Sequence, residues 1–279
     1  MSFLKEEELI NILPEDGPTV IEVKKYLEKY NNEFIIIKCG GSVLVDPILF
    51  KIFIEDIVVL NKLGFNPIIV HGGGKRINNK LSELNIKSNF INGLRVTDKN
   101  TINIVEDVLI DFNKEIVTAL KKQSCESRRI TSKEYNIITV KPENDDLGFV
   151  GTPTHIKINI LKEIIKINEV PVIAPLGLDK NNKTFNINAD TVAGAIAKEL
   201  KARRLMIISD VEGVLDDKKK LIPEINSKKA KELINQEVIS GGMIPKINNC
   251  LDVASNGVKG VVIIDGRKNH SILFELLSD

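Results

Sequence analysis

IIVHGGGKRI, residues 68–77, is an apolar run that ends in one histidine and three consecutive glycines. Ile68, Ile69 and Val70 read as a strand buried on both faces, and the pattern after Gly74 turns helical. Three glycines in a row cost more chain entropy on folding than any other choice of residues. What such a stretch provides is close approach of backbone N–H groups to a ligand, at a helix N-terminus suited to an anion. The plainer alternative is a tight strand-to-helix turn with nothing bound.

Outward from this turn, strands and helices alternate. FIIIKCGGS (34–42) is a second apolar strand, ending in Lys38 and a glycine pair. Residues 47–64 read as a helix stopped by Gly64, 75–86 as the helix after the triple glycine, and 98–123 as a long amphipathic helix. Residues 135–140 and 147–159 have the character of hairpin or loop, and 160–168 of a helix. Buried strands follow at 170–179, 204–215 and 258–266, with a small-residue helix at 189–202. This alternation predicts an α/β fold around a mostly parallel sheet, with ligands at the carboxyl ends of the strands. A soft boundary between halves falls near residues 179–184.

Composition excludes several classes. At 43% hydrophobic and 28% charged the chain is an ordinary globular one, and a net charge of +1 gives no electrostatic case for nucleic acid or an anionic membrane. No apolar run approaches the roughly 20 residues of a membrane span, and MSFLKEEELI has acids where a signal peptide needs a basic start. Cys39, Cys125 and Cys250 lie far apart, which suggests a reducing compartment and no zinc site. The expectation is a soluble, cytoplasmic protein.

The unusual residues fall at strand ends or helix starts: Lys38-Gly40-Gly41, the HGGG turn, Asn186-Asn188-Asp190, and Ser209-Asp210. ISGGMIPKIN (239–248) adds two glycines at a helix start, with Lys246 on its first turns. A lysine closing a buried strand is costly unless it points into a polar site. Glycine loops, two lysines and acids, with no serine or cysteine nucleophile pattern, suit an anionic ligand. Phosphoryl transfer fits, because it asks the protein for positioning and charge neutralisation. GxxxxGK[ST] and GxGxxG are both absent, so neither a P-loop nor a dinucleotide fingerprint is present. HGGG also serves some esterases as an oxyanion hole, but there is no GxSxG elbow.

Six stretches in chain order, KCGGS (38–42), HGGG (71–74), NGLRVTD (92–98), NINAD (186–190), SDVEGV (209–214) and GGMIPK (241–246), resemble the motifs of the amino acid kinase family. The resemblance runs from about residue 20 to the C-terminus, and NGLRVTD points within the family to the branch acting on N-acetyl-L-glutamate. It implies a three-layer αβα sandwich with an N-terminal helical extension. It also implies transfer of the γ-phosphoryl of ATP to a side-chain carboxylate, with Mg²⁺ carried on the phosphates and not bound directly by the protein. Lys38 and Lys246 would neutralise the transferring group, Asp190 would orient both, and Gly40, Gly41 and Gly73 would bind the phosphoryl oxygens. Gly73, Gly74, Arg95 and Asn186 match the acetylglutamate contacts. Asp210, Val211, Gly213, Val214, Leu215, Val238, Ile239 and Ser240 match the ATP segments.

On the same footing, residues 1–31 would be an oligomerising amphipathic helix, 32–180 the acetylglutamate lobe and 181–279 the ATP lobe. Val20, Val23, Leu27 and Tyr30 lie at helical spacing in that first segment; a lone helix of this kind packs on its own domain or, in the resemblance, interlaces dimers into an arginine-inhibited hexamer. Tyr26, His270 and Glu275 match the inhibitor site, with L-arginine as the ligand and a plain dimer as the simpler assembly. Cys39 stands where relatives have Leu or Tyr, residues 127–136 replace a glycine-rich hairpin, and the sequence ends in ELLSD where many relatives continue with a GxGTxI-like tail. Two alternatives stay open: a sister kinase acting on aminoadipate, glutamate or aspartate, and a non-catalytic arginine-binding regulator.

Overall fold

The computed structural model describes residues 4–278; Met1–Phe3, which begin the stretch read above for a signal peptide and an oligomerising helix, and Asp279 lie outside the described residues. The strands are β1 (Phe34–Cys39), β2 (Asn66–His71), β3 (Phe90–Ile91), β4 (Leu94–Arg95), β5 (Ser127–Ile130), β6 (Ile138–Pro142), β7 (Gly151–Ile156), β8 (Val170–Ile173), β9 (Leu176–Leu178), β10 (Thr184–Asn186), β11 (Arg204–Ser209) and β12 (Val261–Asp265). The helices are α1 (Glu6–Ile12), α2 (Val20–Tyr30), α3 (Pro47–Lys62), α4 (Gly74–Glu83), α5 (Lys99–Lys122), α6 (Ile158–Lys166), α7 (Ala189–Leu200), α8 (Ser227–Asn235), α9 (Met243–Ser255) and α10 (Ser271–Leu277).

Six strands form one parallel sheet in the order β12-β11-β1-β2-β8-β5. Its central strands are apolar on both faces because both faces are covered. Ile35, Ile37, Ile69 and Met206 enter a core with α2, α3, α5 and α10. Their neighbours Ile36, Ile68, Leu205 and Ile207 enter a second core with α6, α7 and α9. The result is a three-layer αβα sandwich, as the α/β expectation and the resemblance have it.

Local chemistry starts the helices where they begin. Asp46 accepts from the N–H groups of Ile48 and Leu49 ahead of Pro47, and Asp98 does the same for Asn100 and Thr101. Thr19 and Glu22 form a capping box on α2. The expected face of α2 packs on its own chain: Val23, Leu27 and Tyr30 are buried, and Tyr30 Oη accepts from Arg204 Nε at 3.1 Å.

A second sheet, ordered β10-β9-β6-β7, carries the β6–β7 hairpin and the β9–β10 hairpin. The stretch 170–179 is therefore two strands, one in each sheet, and the break holds Pro175, which has no N–H to give a ladder. The turn near residue 180 lies inside the β9–β10 hairpin, so Asn186 is carried by the same small sheet as residues 138–156. Residues 127–136 begin as the edge strand β5 and then turn over Thr131, whose hydroxyl accepts from the N–H groups of Lys133 and Glu134.

Candidate active site

The strand order reverses at β1, with β2 on one side and β11 on the other. In an open parallel sheet that point opens a crevice at the carboxyl ends. Both glycine loops emerge there, and Gly72 N–H donates to the Cys39 carbonyl at 2.7 Å, tying one to the other. Gly41 has φ +65, and a Cβ on it would run into the carboxylate of Asp210, so only glycine fits. Asp210 in turn accepts from Ser42 N–H at 2.6 Å. A Cβ at Gly73 would lie 2.6 Å from Leu109, whereas at Gly74 it would meet nothing within 4 Å.

His71 serves this turn as a structural group. It is fully buried, its Nδ1 lies 2.9 Å from the Gly72 carbonyl and its Nε2 lies 3.2 Å from Asn113 Nδ2. The tautomer that satisfies both carries its proton on Nδ1. Burial pulls its pKa down to about 4, so it stays neutral. Asn113, itself fully buried on α5, also donates to the Val172 carbonyl at 2.9 Å and so ties the turn to the sheet.

Asp190 stands on the first turn of α7, whose N-cap Asn188 accepts from the Asp190 and Thr191 N–H groups. Lys246 Nζ donates to Asp190 Oδ2 at 2.6 Å, and Lys38 Nζ lies 3.0 Å from Oδ1 as an ion pair without a directed hydrogen bond. Burial pushes the Asp190 carboxyl upward, but the two ammonium groups outweigh it and hold it below the ordinary carboxylate value. The packing explains how Lys246 arrives. A Cβ at Gly194 would come within 2.8 Å of Val253 and Asn249, so α9 can lie directly on α7. Lys246 and Asn249, three residues apart on one face of α9, then both reach Asp190, with Asn249 Nδ2 donating to the Asp190 backbone carbonyl at 2.9 Å.

A cavity of about 230 Å³ is lined by Lys38, the two glycine loops, Arg95, Asn186 and Asp190. Arg95 is only 7% exposed. Its guanidinium donates to Ser88 Oγ and Asn78 Oδ1, both at 2.8 Å, and to the Gly74 carbonyl at 3.4 Å, and it lies over the Phe90 ring. No carboxylate among the described residues pairs with it. A buried cation with neutral partners alone is costly to hold unless an anion completes the site. Asn186 Nδ2 donates to Thr97 Oγ1 at 3.4 Å, a long bond that leaves the amide able to exchange partners.

The structure thus brings together Lys38, Gly40, Gly41, Gly73, Gly74, Arg95, Asn186, Asp190 and Lys246, with Asp210 alongside. The other residues matched to ATP segments are not gathered in one cavity. Val214 and Ile239 are buried in a small core under α8 and α9, Val238 packs at its margin, and Ser240 is exposed. Gly213 takes φ +143 in the turn after Asp210, and Leu215 pairs with Leu221. Tyr26 packs against the first core under Lys29. His270 is 3% exposed and sits between Asp56, at 2.5 Å, and Asp16, at 3.0 Å. Glu275 lines a separate cavity of about 730 Å³, where burial raises its pKa against the opposing pull of Arg204 and Lys29. Sequence reasoning missed Asn113, Asn249 and Lys75. The lysine was in plain view directly after HGGG; the two asparagines gave no signal, because only helix packing aims them.

The sequence profile of the amino acid kinase family matches residues 33–265. This chain belongs to the amino acid kinase family. Among curated members, the acetylglutamate kinase of Pelagibacter ubique (strain HTCC1062) is 83% identical to this amino acid kinase over 279 residues, which is 100% of this chain and 97% of its own. The acetylglutamate kinase of Campylobacter fetus subsp. fetus (strain 82-40) is 44% identical over 262 residues, 93% of this chain and 94% of its own. N-acetylglutamate synthase from Neisseria gonorrhoeae, solved with coenzyme A and N-acetyl-glutamate, has a TM-score of 0.83 at 21% identity over 92% of this chain and 60% of that one. At that identity the likeness is one of fold.

Proposed function

We propose that this amino acid kinase is an acetylglutamate kinase, transferring the γ-phosphoryl of ATP to the side-chain carboxylate of N-acetyl-L-glutamate in the second step of arginine biosynthesis. The observation that carries the reading is the buried, acid-free Arg95 guanidinium in the same cavity as two glycine loops and the Lys38–Asp190 pair, with Lys246 on the second Asp190 oxygen. Identity of 83% over the whole chain to a curated acetylglutamate kinase supports it independently.

The acceptor carboxylate, with a pKa of about 4.3, is already ionised at neutral pH, so the reaction needs no general base. That agrees with a histidine held neutral and fully engaged inside the turn. The difficulty is bringing two anions together, and Lys38 and Lys246 lower that barrier by neutralising the phosphoryl group as it moves. Asp190 holds both ammonium groups in position. The N–H groups of Gly40, Gly41 and Gly73 bind phosphoryl oxygens, with α4 adding the positive end of its dipole. Arg95 takes the substrate α-carboxylate, Gly73 and Gly74 leave room for the backbone to approach it, and Asn186 takes the acetamide. Asp210 to Leu215 and Val238 to Ser240 hold the nucleotide. Mg²⁺ would be carried on the ATP phosphates, where it would add charge neutralisation.

The finer reading is a cytoplasmic enzyme that assembles as a hexamer and is inhibited by arginine. Three free cysteines suit a reducing compartment, and no helix among the described residues is long and apolar enough to cross a membrane. Ile10 and Ile21, 60% and 75% exposed on the N-terminal helices, are the apolar groups offered to a partner. The half-buried Glu275 carboxylate suits a guanidinium. The double variant Ile10→Glu/Ile21→Glu, which leaves the packed face of α2 intact, should give a smaller, active species by light scattering that has lost arginine sensitivity; a full-length enzyme indifferent to millimolar arginine ends the regulatory reading. The catalytic reading is tested by coupled ADP release with N-acetyl-L-glutamate, glutamate, aspartate and aminoadipate. Only the first should turn over. A preference for another acceptor identifies a sister kinase, and no turnover with any revives the non-catalytic regulator.

A further inference from the structure

Lys75 lies on the first turn of α4, where the helix dipole disfavours a cation. Its Nζ nevertheless reaches back across the first glycine loop, 3.0 Å from Ser42 Oγ and 3.1 Å from Asp210 Oδ2. The other oxygen of Asp210 accepts from Ser42 N–H at 2.6 Å. The Gly40–Gly41 pair is thus flanked by two lysine–aspartate pairs. On one side Lys38 Nζ sits 2.6 Å from where a Gly40 Cβ would be; on the other, the Asp210 carboxylate fills the space a Gly41 Cβ would need. The two pairs differ in kind. Lys38 and Asp190 are 12% and 15% exposed, and Asp190 is held by a second lysine as well. Lys75 and Asp210 are 48% and 35% exposed. The inner cation is fixed; the outer one can change partners at little cost, since a half-exposed ion pair is weak.

Resting on the phosphoryl-transfer reading above, we propose that Lys75 is a further nucleotide-binding residue, a cation for the non-transferred phosphates, with Asp210 as the anion it releases when the polyphosphate arrives. A polyphosphate whose terminal group lies between Lys38 and Lys246 extends past Gly41, and Lys75 is the cation on that side. A lysine suits the task because its flexible stem carries a compact charge that can swing between two anions.

The test measures calorimetric binding of the non-hydrolysable ATP analogue AMP-PNP, and of AMP, to the full-length wild type and to Lys75→Gln and Lys75→Arg. Loss of one charge-assisted contact should weaken AMP-PNP about tenfold or more in Lys75→Gln. AMP should change less than threefold, and Lys75→Arg should recover most of the loss. In turnover, Lys75→Gln should raise KM for ATP and leave that for N-acetylglutamate unchanged. Unchanged AMP-PNP affinity, or equal losses for AMP-PNP and AMP, would overturn the proposal and leave the Lys75–Asp210 pair as a structural strap. Wild-type binding of AMP-PNP without ADP release would overturn the catalytic reading while this assay still judged Lys75.

Discussion

Arg95→Met separates stability from function, because the two should move in opposite directions. The arginine is 7% exposed, makes three of five possible hydrogen bonds, and has no acid partner among the described residues. Burial already presses its pKa downward. Replacing a buried charge by an apolar side chain of similar length is often neutral or stabilising by about 1–4 kcal/mol. The stranded partners are cheap, since Asn78 is exposed and Ser88 half-buried and both can take water. The variant without ligands should therefore melt at or above the wild-type temperature, where about 1 kcal/mol corresponds to roughly 2–4 °C in a chain of this size. Substrate binding should fail. A bidentate pair lost, at about 1.5–3 kcal/mol per charged hydrogen bond, raises KM for N-acetylglutamate by roughly 100-fold or more. Thermal melts with and without acetylglutamate provide the assay. Saturation at about 100 times the wild-type Kd adds about 2.7 kcal/mol to the wild type and at most about 0.4 kcal/mol to the variant. Arg95→Lys should fall between, with KM for ATP unaffected in both. A ligand-induced shift retained in Arg95→Met, or an equal loss for ATP and acetylglutamate, would refute the reasoning.

Lys38→Met and Lys246→Met should each lower kcat by about 10²–10³ in steady-state assays, while Asp190 keeps one partner and the fold is retained. Asp190→Ala instead leaves two part-buried ammonium groups facing one another, and denaturant melts should show a loss of about 3 kcal/mol or more. Gly41→Ala must hold a non-glycine residue at φ +65 and displace Asp210, so about 1–2 kcal/mol of backbone strain should accompany a rise in KM for ATP. The His270–Asp56 pair makes stability fall with rising pH. Burial raises Asp56 to about 6 from 3.8 against the pull of His270, and the hydrogen bond that the His270 ring donates to the Asp56 carboxylate raises His270 above 6.5. Both groups bind protons more tightly when folded, so stability declines as pH climbs from about 4 and His270's share is lost on passing its raised value. Melts of the His270→Asn/Asp56→Asn double variant between pH 5 and 9 should show a flatter slope than the wild type; an unchanged slope would contradict this.

The sequence by itself determined the layers and the loops. Continuous apolar runs at 34–37 and 68–70 can only be buried on both faces, and glycine clusters at their ends announce backbone exposed to a ligand, because these signals depend on neighbours in the chain. It also marked Lys38, Asp190 and Lys246, each near a glycine pair or a cap that is itself a local signal, whereas Arg95 came only from the resemblance of NGLRVTD to a family motif. What joins them is not local. Asp190 meets Lys246 only because Gly194 lets α9 lie against α7, a contact across more than fifty residues that no periodicity encodes. His71 becomes a neutral strut because α5 brings Asn113 to its ring. The split of 170–179 between two sheets, and the capture of Lys75 by Asp210 from the end of β11 two strands away, follow from which strands become neighbours. Propensity and pattern act over a few residues along the chain, whereas packing, burial and ion pairing act between segments that meet only after the sheet has formed.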